Sequence, residues 1–199
     1  MLLLCSGSPR RQDFLRNLGL PFEIVPPDID ESRRAGEAVR AYVERMAREK
    51  ARAGLALFSA RATAAGPVVA LGADTIVVVR DEVLGKPRDR ADARRMLSLL
   101  SDSEHVVVTS VCVVAQDSAR STTVETTVRF RTLSGAALEW LTQSGDGDDK
   151  AGAYAVQGLA AAFVERIDGS LTSVVGLPLA ETLVLLEQAG VALPWSAPR

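Results

Sequence analysis

Residues 68–79 read VVALGADTIVVV. Their β-branched and small apolar side chains suit a sheet interior, and the stretch predicts one long strand or a strand pair flanking Ala73-Asp74. Asp74 breaks the pattern. A carboxylate in such a run is costly unless it is hydrogen-bonded, paired or bound to a cation. It is either a structural aspartate at a bulge or strand end, or a metal ligand or general base.

The flanking sequence fills in the fold. Downstream, Arg80-Asp81-Glu82 turns the chain and residues 83–87 return. A helix is predicted over 92–100, with Met96, Leu97, Leu99 and Leu100 on its apolar face. Residues 105–115 and 122–133 alternate as an antiparallel strand pair joined by the turn QDSARS. Ser134 caps a helix to about 143, the acidic loop SGDGDDKAG follows, 161–167 read as a strand and 177–188 as the last helix.

Upstream, 2–5 form a short buried strand. Ser8 as N-cap, Pro9 at the first helical position and Gly19 past the end delimit a helix. A second strand covers 22–25, PPDIDES is a loop, and apolar spacing predicts a helix over 37–57. Residues 60–67 are an Ala/Gly/Pro connector. Helices and strands interleave, but adjacent strand runs call for a mixed sheet in an α/β fold. With no linker and no repeat, residues 1–199 form one domain.

The composition is 47% hydrophobic and 24% charged with a formal net charge of -2, which gives no global footprint for nucleic acid or an anionic membrane. The run at the start of MLLLCSGSPRR is too short, and its charges lie on the wrong side, for a secretion signal. No segment reaches the ~18 uncharged apolar residues of a bilayer span. A cytoplasmic protein is expected. Cys5 and Cys112 lie in apolar strand runs without partners at metal-ligand spacing and read as buried thiols. His105, the only histidine, reads as structural.

Other residues break the local pattern beside Asp74. Lys50 falls on the helix direction of Val39, Val43 and Met46, the face that packs inward. Either its stem snorkels or its ammonium is aimed at an anion. SGSPRR (6–11) places a tight glycine turn and a helix N-terminus after a strand, with Ser8, Arg10 and Arg11 adding donors suited to phosphate. Lys86, in LGKP, is a further cation. Neither a Walker A loop nor a G-x-G-x-x-G fingerprint occurs. Glu31, in the acidic loop 28–31, together with Asp74 suits Mg²⁺ bridging phosphate oxygens.

In combination these segments are similar to one known family. LCSGSPRRQDFLRNLGL, PPDIDES, REKA, LGADTIVVV, LGKPRD, MLSLLS with HVVVTSV, VRFRTLS, DKAGAYAVQG and VVGLPLAET stand in the order seen in the Maf family of nucleotide pyrophosphatases. The resemblance covers residues 2 to about 190. It implies an elongated, inosine-triphosphatase-like α/β fold, with a mixed central sheet flanked by helices and a cleft between two lobes, often as a homodimer. It also implies hydrolysis of a nucleoside triphosphate to the monophosphate and pyrophosphate with a divalent cation, Mg²⁺ or Mn²⁺. By position, Asp74 matches the catalytic proton acceptor and, with Glu31, the metal carboxylates. Ser8, Arg11, Lys50 and Lys86 match substrate-binding residues.

Arg10, Thr75 and Gln157 match the positions that separate the family's branches, and here they resemble the branch acting on dTTP, UTP and modified pyrimidine triphosphates. Gln157 offers a donor and an acceptor to a uracil or thymine edge. The 7-methyl-GTP branch has Trp near the first position, Gln after the Asp and Glu in place of Gln157. This chain departs from the family at Cys5, Ala155 and Asp102, the last at a helix end where Gly would tolerate positive φ. Two other classes are a nucleotide-binding regulator of cell division without turnover and an interaction module whose charged residues are structural; Asp74 and Glu31 argue against the first, and the second leaves Asp74 and Lys50 unexplained.

Overall fold

The run around Asp74 is a single strand. A computed structural model describes residues 1–61, 66–115 and 118–196. In chain order the elements are β1 (Leu2–Leu4), α1 (Pro9–Asn17), β2 (Phe22–Ile24), α2 (Val39–Arg61), β3 (Val69–Val79), β4 (Glu82–Leu84), α3 (Arg90–Leu100), β5 (Glu104–Ala115), β6 (Ser118–Phe130), α4 (Gly135–Ser144), β7 (Val164–Asp168), α5 (Leu171–Val175) and α6 (Leu179–Gln188). The seven strands form one sheet in the order β2-β1-β3-β5-β6-β7, with β4 paired to β3. The sheet is mixed. β1 runs parallel to β2 and β3, whereas β3/β4 and β6/β7 are antiparallel.

The chain divides into two compact units, Met1–Asp74 with Thr109–Thr123 and Gly176–Arg199, and Thr75–Val108 with Val124–Val175. In the first unit the strand pleat sorts side chains between two cores. Leu2, Leu4, Val69, Leu71 and Ala73 pack with Leu15 of α1 and Leu185 and Leu186 of α6. Leu3, Cys5 and Ala70 face the other way and pack with Ala47, Ala51 and Phe58 of α2. Each strand is therefore apolar on both faces.

In the second unit, Val77, Val79 and Leu84 pack with Ala93, Met96, Leu97 and Leu100 of α3, and with Phe130 and Leu141. The β3–β4 turn takes positive φ at Arg80 (48°) and Asp81 (65°), the two-residue geometry that follows the strands' twist. His105, Phe130 and Tyr154 meet edge to face, and Tyr154 Oη lies 2.8 Å from His105 Nε2. The structural reading of His105 holds.

Several boundaries differ from expectation. Ser118 to Ser121 belong to β6, so QDSARS is not a turn throughout; Gln116 and Asp117 lie outside the described residues, as do 62–65 of the connector. The strand expected over 161–167 begins only at Val164, because Leu159–Phe163 form 3₁₀ turns. That segment is rich in alanine, which has little β preference. Asp146 Oδ2 accepts the Leu159 N–H at 3.0 Å and holds its start. The helix expected from 37 begins at Val39, since the Glu37 carboxylate is drawn to Arg45 at 2.7 Å. The short helix α5 was not expected.

Candidate active site

Asp74 reaches its position through the pleat of β3 and a close helix contact. Ala70, Gly72 and Asp74 alternate on the face that α2 covers. At Gly72 the helix backbone comes so near that a Cβ would lie 2.2 Å from the Ala47 carbonyl oxygen and 2.6 Å from the Ala51 nitrogen. Only glycine permits that approach. One residue before Ala51 on the helix, and two residues past Gly72 on the strand, Lys50 and Asp74 meet.

The Lys50 ammonium donates to Asp74 Oδ1 at 2.8 Å and to Glu31 Oε2 at 2.8 Å. The side chains of Lys50 and Asp74 are 11% and 10% exposed, whereas Glu31 is 54% exposed. A buried ion pair at the edge of the apolar face thus meets a third charge that faces water. Both carboxylate-bearing residues converge on one cation, so the sequence expectations for Asp74, Lys50 and Glu31 coincide in space. Hydrogen bonding at a single oxygen of each leaves acceptor positions on both carboxylates.

Arg11 is turned into the protein. It lies one turn before Leu15 on α1 and is 9% exposed. Its Nε donates to the Gly176 carbonyl at 2.7 Å, and Nη1 donates to the Ala73 carbonyl at 2.9 Å and to Ser6 Oγ at 3.0 Å. The guanidinium braces the backbone just before Asp74. Burial pulls its affinity for the proton down, while the negative charge of Asp74 pulls it up.

Ser8 occupies the N-cap position with Pro9 first in the helix, but its side chain makes no cap hydrogen bond. Its N–H donates instead to Ser6 Oγ at 3.2 Å. Proline at the first helical position has no N–H to offer, and Ser6 organises the turn. Ser8 and Arg10 are half-buried at the start of α1.

Thr75, Lys86 and Gln157 belong to the second unit. Thr75 follows Asp74 on β3 and is half-buried, Lys86 is exposed after β4, and Gln157 is exposed. Gln157 sits in a turn closed by Gly158 N–H to the Ala155 carbonyl at 3.0 Å. A Cβ on Gly158 would lie 2.1 Å from Asp146 Oδ2, so glycine lets the acidic loop seat against this turn.

Sequence reasoning passed over Ser6, Gly72, Tyr42 and Arg45. Tyr42 Oη donates to the Glu31 carbonyl at 2.8 Å. Arg45 donates to the Ser32 carbonyl at 3.0 Å and grips Glu37. Tyr42 lies within the helix expected over 37–57, and nothing in the apolar spacing sets its hydroxyl apart. Among the described residues, no group of three or more His, Cys, Asp or Glu is placed to hold a metal ion. Two carboxylates gathered about one cation do fit the smaller donor set with which Mg²⁺ is bound beside a substrate's phosphates.

The family model described as Maf-like protein matches residues 1–189. The chain is 50% identical over 202 residues to the dTTP/UTP pyrophosphatase of Anaeromyxobacter sp. (strain Fw109-5), covering 99% of this chain and 93% of that one. It is 50% identical over 195 residues to the protein of the same description from Hahella chejuensis (strain KCTC 2396), covering 98% and 94%. With that of Vibrio cholerae serotype O1 it shares 50% over 187 residues, covering 94% and 97%.

Proposed function

We propose that this chain, which belongs to the Maf family, is a nucleoside triphosphate pyrophosphatase that hydrolyses dTTP and UTP to the monophosphate and pyrophosphate. Relatives described as dTTP/UTP pyrophosphatases match it at about half of all positions over nearly its whole length. The single structural observation that carries the chemistry is the Lys50 ammonium shared between Asp74 and Glu31 at 2.8 Å each.

In the proposed reaction a water attacks the α-phosphorus, the bond to the bridging oxygen breaks, and pyrophosphate departs. Asp74 takes the proton of the attacking water through a carboxylate oxygen and passes it to solvent. Its orientation is set by Lys50 on one side and, through the Ala73 backbone, by Arg11 on the other. Glu31 and Asp74 would hold a divalent cation, Mg²⁺ or Mn²⁺, which when bound supplies positive charge to the triphosphate and lowers the pKa of bound water. Lys50 keeps the two carboxylates together, so part of their mutual repulsion is offset before substrate arrives.

Ser8, Arg10 and the α1 N-terminus offer donors to phosphate oxygens. Lys86 adds a flexible cation, and Thr75 and Gln157 are assigned to substrate selection, with the Gln157 amide reading the base edge. Work on the nucleotide pool in the cytoplasm is the setting we propose. No helix among the described residues is long and apolar enough to cross a membrane. A homodimer is the assembly we expect, and multi-angle light scattering at micromolar concentration reads it directly.

The deciding assay is pyrophosphate release from dTTP, UTP, CTP, dATP, GTP and 7-methyl-GTP with Mg²⁺ or Mn²⁺, for the native chain and Asp74→Asn. Turnover of dTTP and UTP that falls by about 10²–10⁴ in the variant is expected for loss of a general base. Activity centred on 7-methyl-GTP would overturn the substrate assignment and leave the reaction class standing.

A further inference from the structure

Glu31 is the exposed member of the charged cluster and lies on a stretch, residues 25–38, without helix or strand. Something must hold a water-facing carboxylate against Lys50. The contacts that do so come from α2. Lys50 binds the Glu31 side chain, and Tyr42, two turns earlier on the same helix, binds the Glu31 backbone through Oη at 2.8 Å. Arg45 lies with its guanidinium 5.6 Å from the centre of the Tyr42 ring and donates to the Ser32 carbonyl at 3.0 Å. It also donates to the Glu37 carboxylate at 2.7 and 2.8 Å and, more loosely, to Glu49 at 3.4 Å; Glu37 in turn accepts the Arg34 N–H at 3.1 Å.

We propose that Tyr42 is a positioning residue for this reaction: its hydroxyl, with Arg45 beside it, fixes the Glu31 backbone so that the Glu31 carboxylate is delivered to Lys50 and Asp74. The inference rests on the reading of that cluster as catalytic. Residue 31 is gripped at both ends by residues eight apart on one rigid helix, and the loop has no regular structure of its own to do this work. Tyr42 touches neither reacting atoms nor metal in this scheme and acts through Glu31 alone.

Tyr42→Phe removes the hydroxyl and keeps the ring beneath Arg45, so the fold is retained. Its effect is measured in the native background and in Glu31→Gln, with dTTP and Mg²⁺. The expected result is a fall in kcat/KM of about tenfold in the native background and less than about twofold in Glu31→Gln, the non-additivity of residues that act as one unit. Hydrogen exchange on the metal-free protein gives a second readout, with faster exchange at Glu31 to Arg34 in Tyr42→Phe and unchanged exchange along β3. Equal losses in both backgrounds, or an unaltered exchange rate at Glu31 to Arg34, would overturn the positioning role while leaving the cluster intact. A Glu31→Gln variant with native activity would overturn the catalytic reading of Glu31, and the role of Tyr42 with it.

Discussion

Lys50 and Asp74 form an ion pair of 2.8 Å in which both side chains are nearly closed to water. They come from a helix and a strand that touch backbone to backbone at Gly72, and the pair exists only because that contact is tight. A buried pair of this kind is weak as a source of stability but expensive to break from one side.

Lys50→Met leaves the Asp74 carboxylate facing an apolar side chain. The expected loss of stability is roughly 3 kcal/mol, at the low end for one-sided removal of a buried partner because Glu31 opens the site to water. Urea denaturation measures it. A loss under about 1 kcal/mol would mean that Asp74 is solvated well enough to stand alone.

Gly72→Ala puts a Cβ 2.2 Å from the Ala47 carbonyl oxygen and 2.6 Å from the Ala51 nitrogen, both backbone atoms that cannot rotate aside. Helix α2 must move off the strand. Destabilisation at or above the upper end of the ~1–3 kcal/mol usual for overpacking is expected, with a fall in kcat as Lys50 leaves Asp74. A thermal melt run beside the pyrophosphate assay tests both, and an alanine variant with native stability would contradict the packing.

His105 is buried, and burial lowers its pKa from 6.5 to about 4. The unfolded chain then binds a proton that the folded chain does not between those values, so stability is fully present above pH 6.5 and is lost as pH falls toward 4. The contribution is on the order of 3 kcal/mol. Carboxylates titrate in the same window, so the quantity to compare is the pH slope of unfolding free energy in the native chain and in His105→Phe. The variant should show the shallower slope; equal slopes would place the histidine in contact with water.

Cys5 and Cys112 are buried free thiols, and burial raises them to about 12 and about 11. Neither offers thiolate at neutral pH, and reactivity follows the thiolate. An aromatic disulfide reagent should label no cysteine in the folded protein and two after denaturation. Rapid labelling of the native chain would show that β1 or β5 opens to solvent.

Asp102 holds φ at +51° at the end of α3, a strained conformation for a residue with a side chain. Among the described residues its carboxylate accepts an exposed hydrogen bond from Arg129 Nη2 at 3.0 Å, a pair worth little. Asp102→Gly should therefore stabilise the protein by about 0.5 kcal/mol, the relief of strain outweighing the extra freedom of the unfolded glycine. Differential scanning calorimetry reads the sign, and a lowered Tm would assign the Arg129 pair more weight than its exposure allows.

Much of this molecule was legible in one dimension, because the relevant physics is local. Strand and helix identity follow from side-chain period and branching, so β1, α1, α2 and β3 lie within a few residues of where the pattern put them. Asp74 and Lys50 stood out since a charge on an apolar face is costly at any location in a fold, whereas Asp102 was noticed only as a departure from the resembling family's glycine. What tertiary structure alone decided is which polar groups meet. Arg11 read as a donor suited to phosphate, and only the packed chain shows that its guanidinium also bonds to Gly176, Ala73 and Ser6 of its own chain. Ser6, not Ser8, organises the first turn, a matter of which hydroxyl faces the guanidinium. Gly72 and Tyr42 had no visible role in the sequence, since a backbone approach and a hydroxyl's reach depend on distances between elements far apart in the chain. Periodicity reports which face is buried; only the packed chain reports what lies across from it.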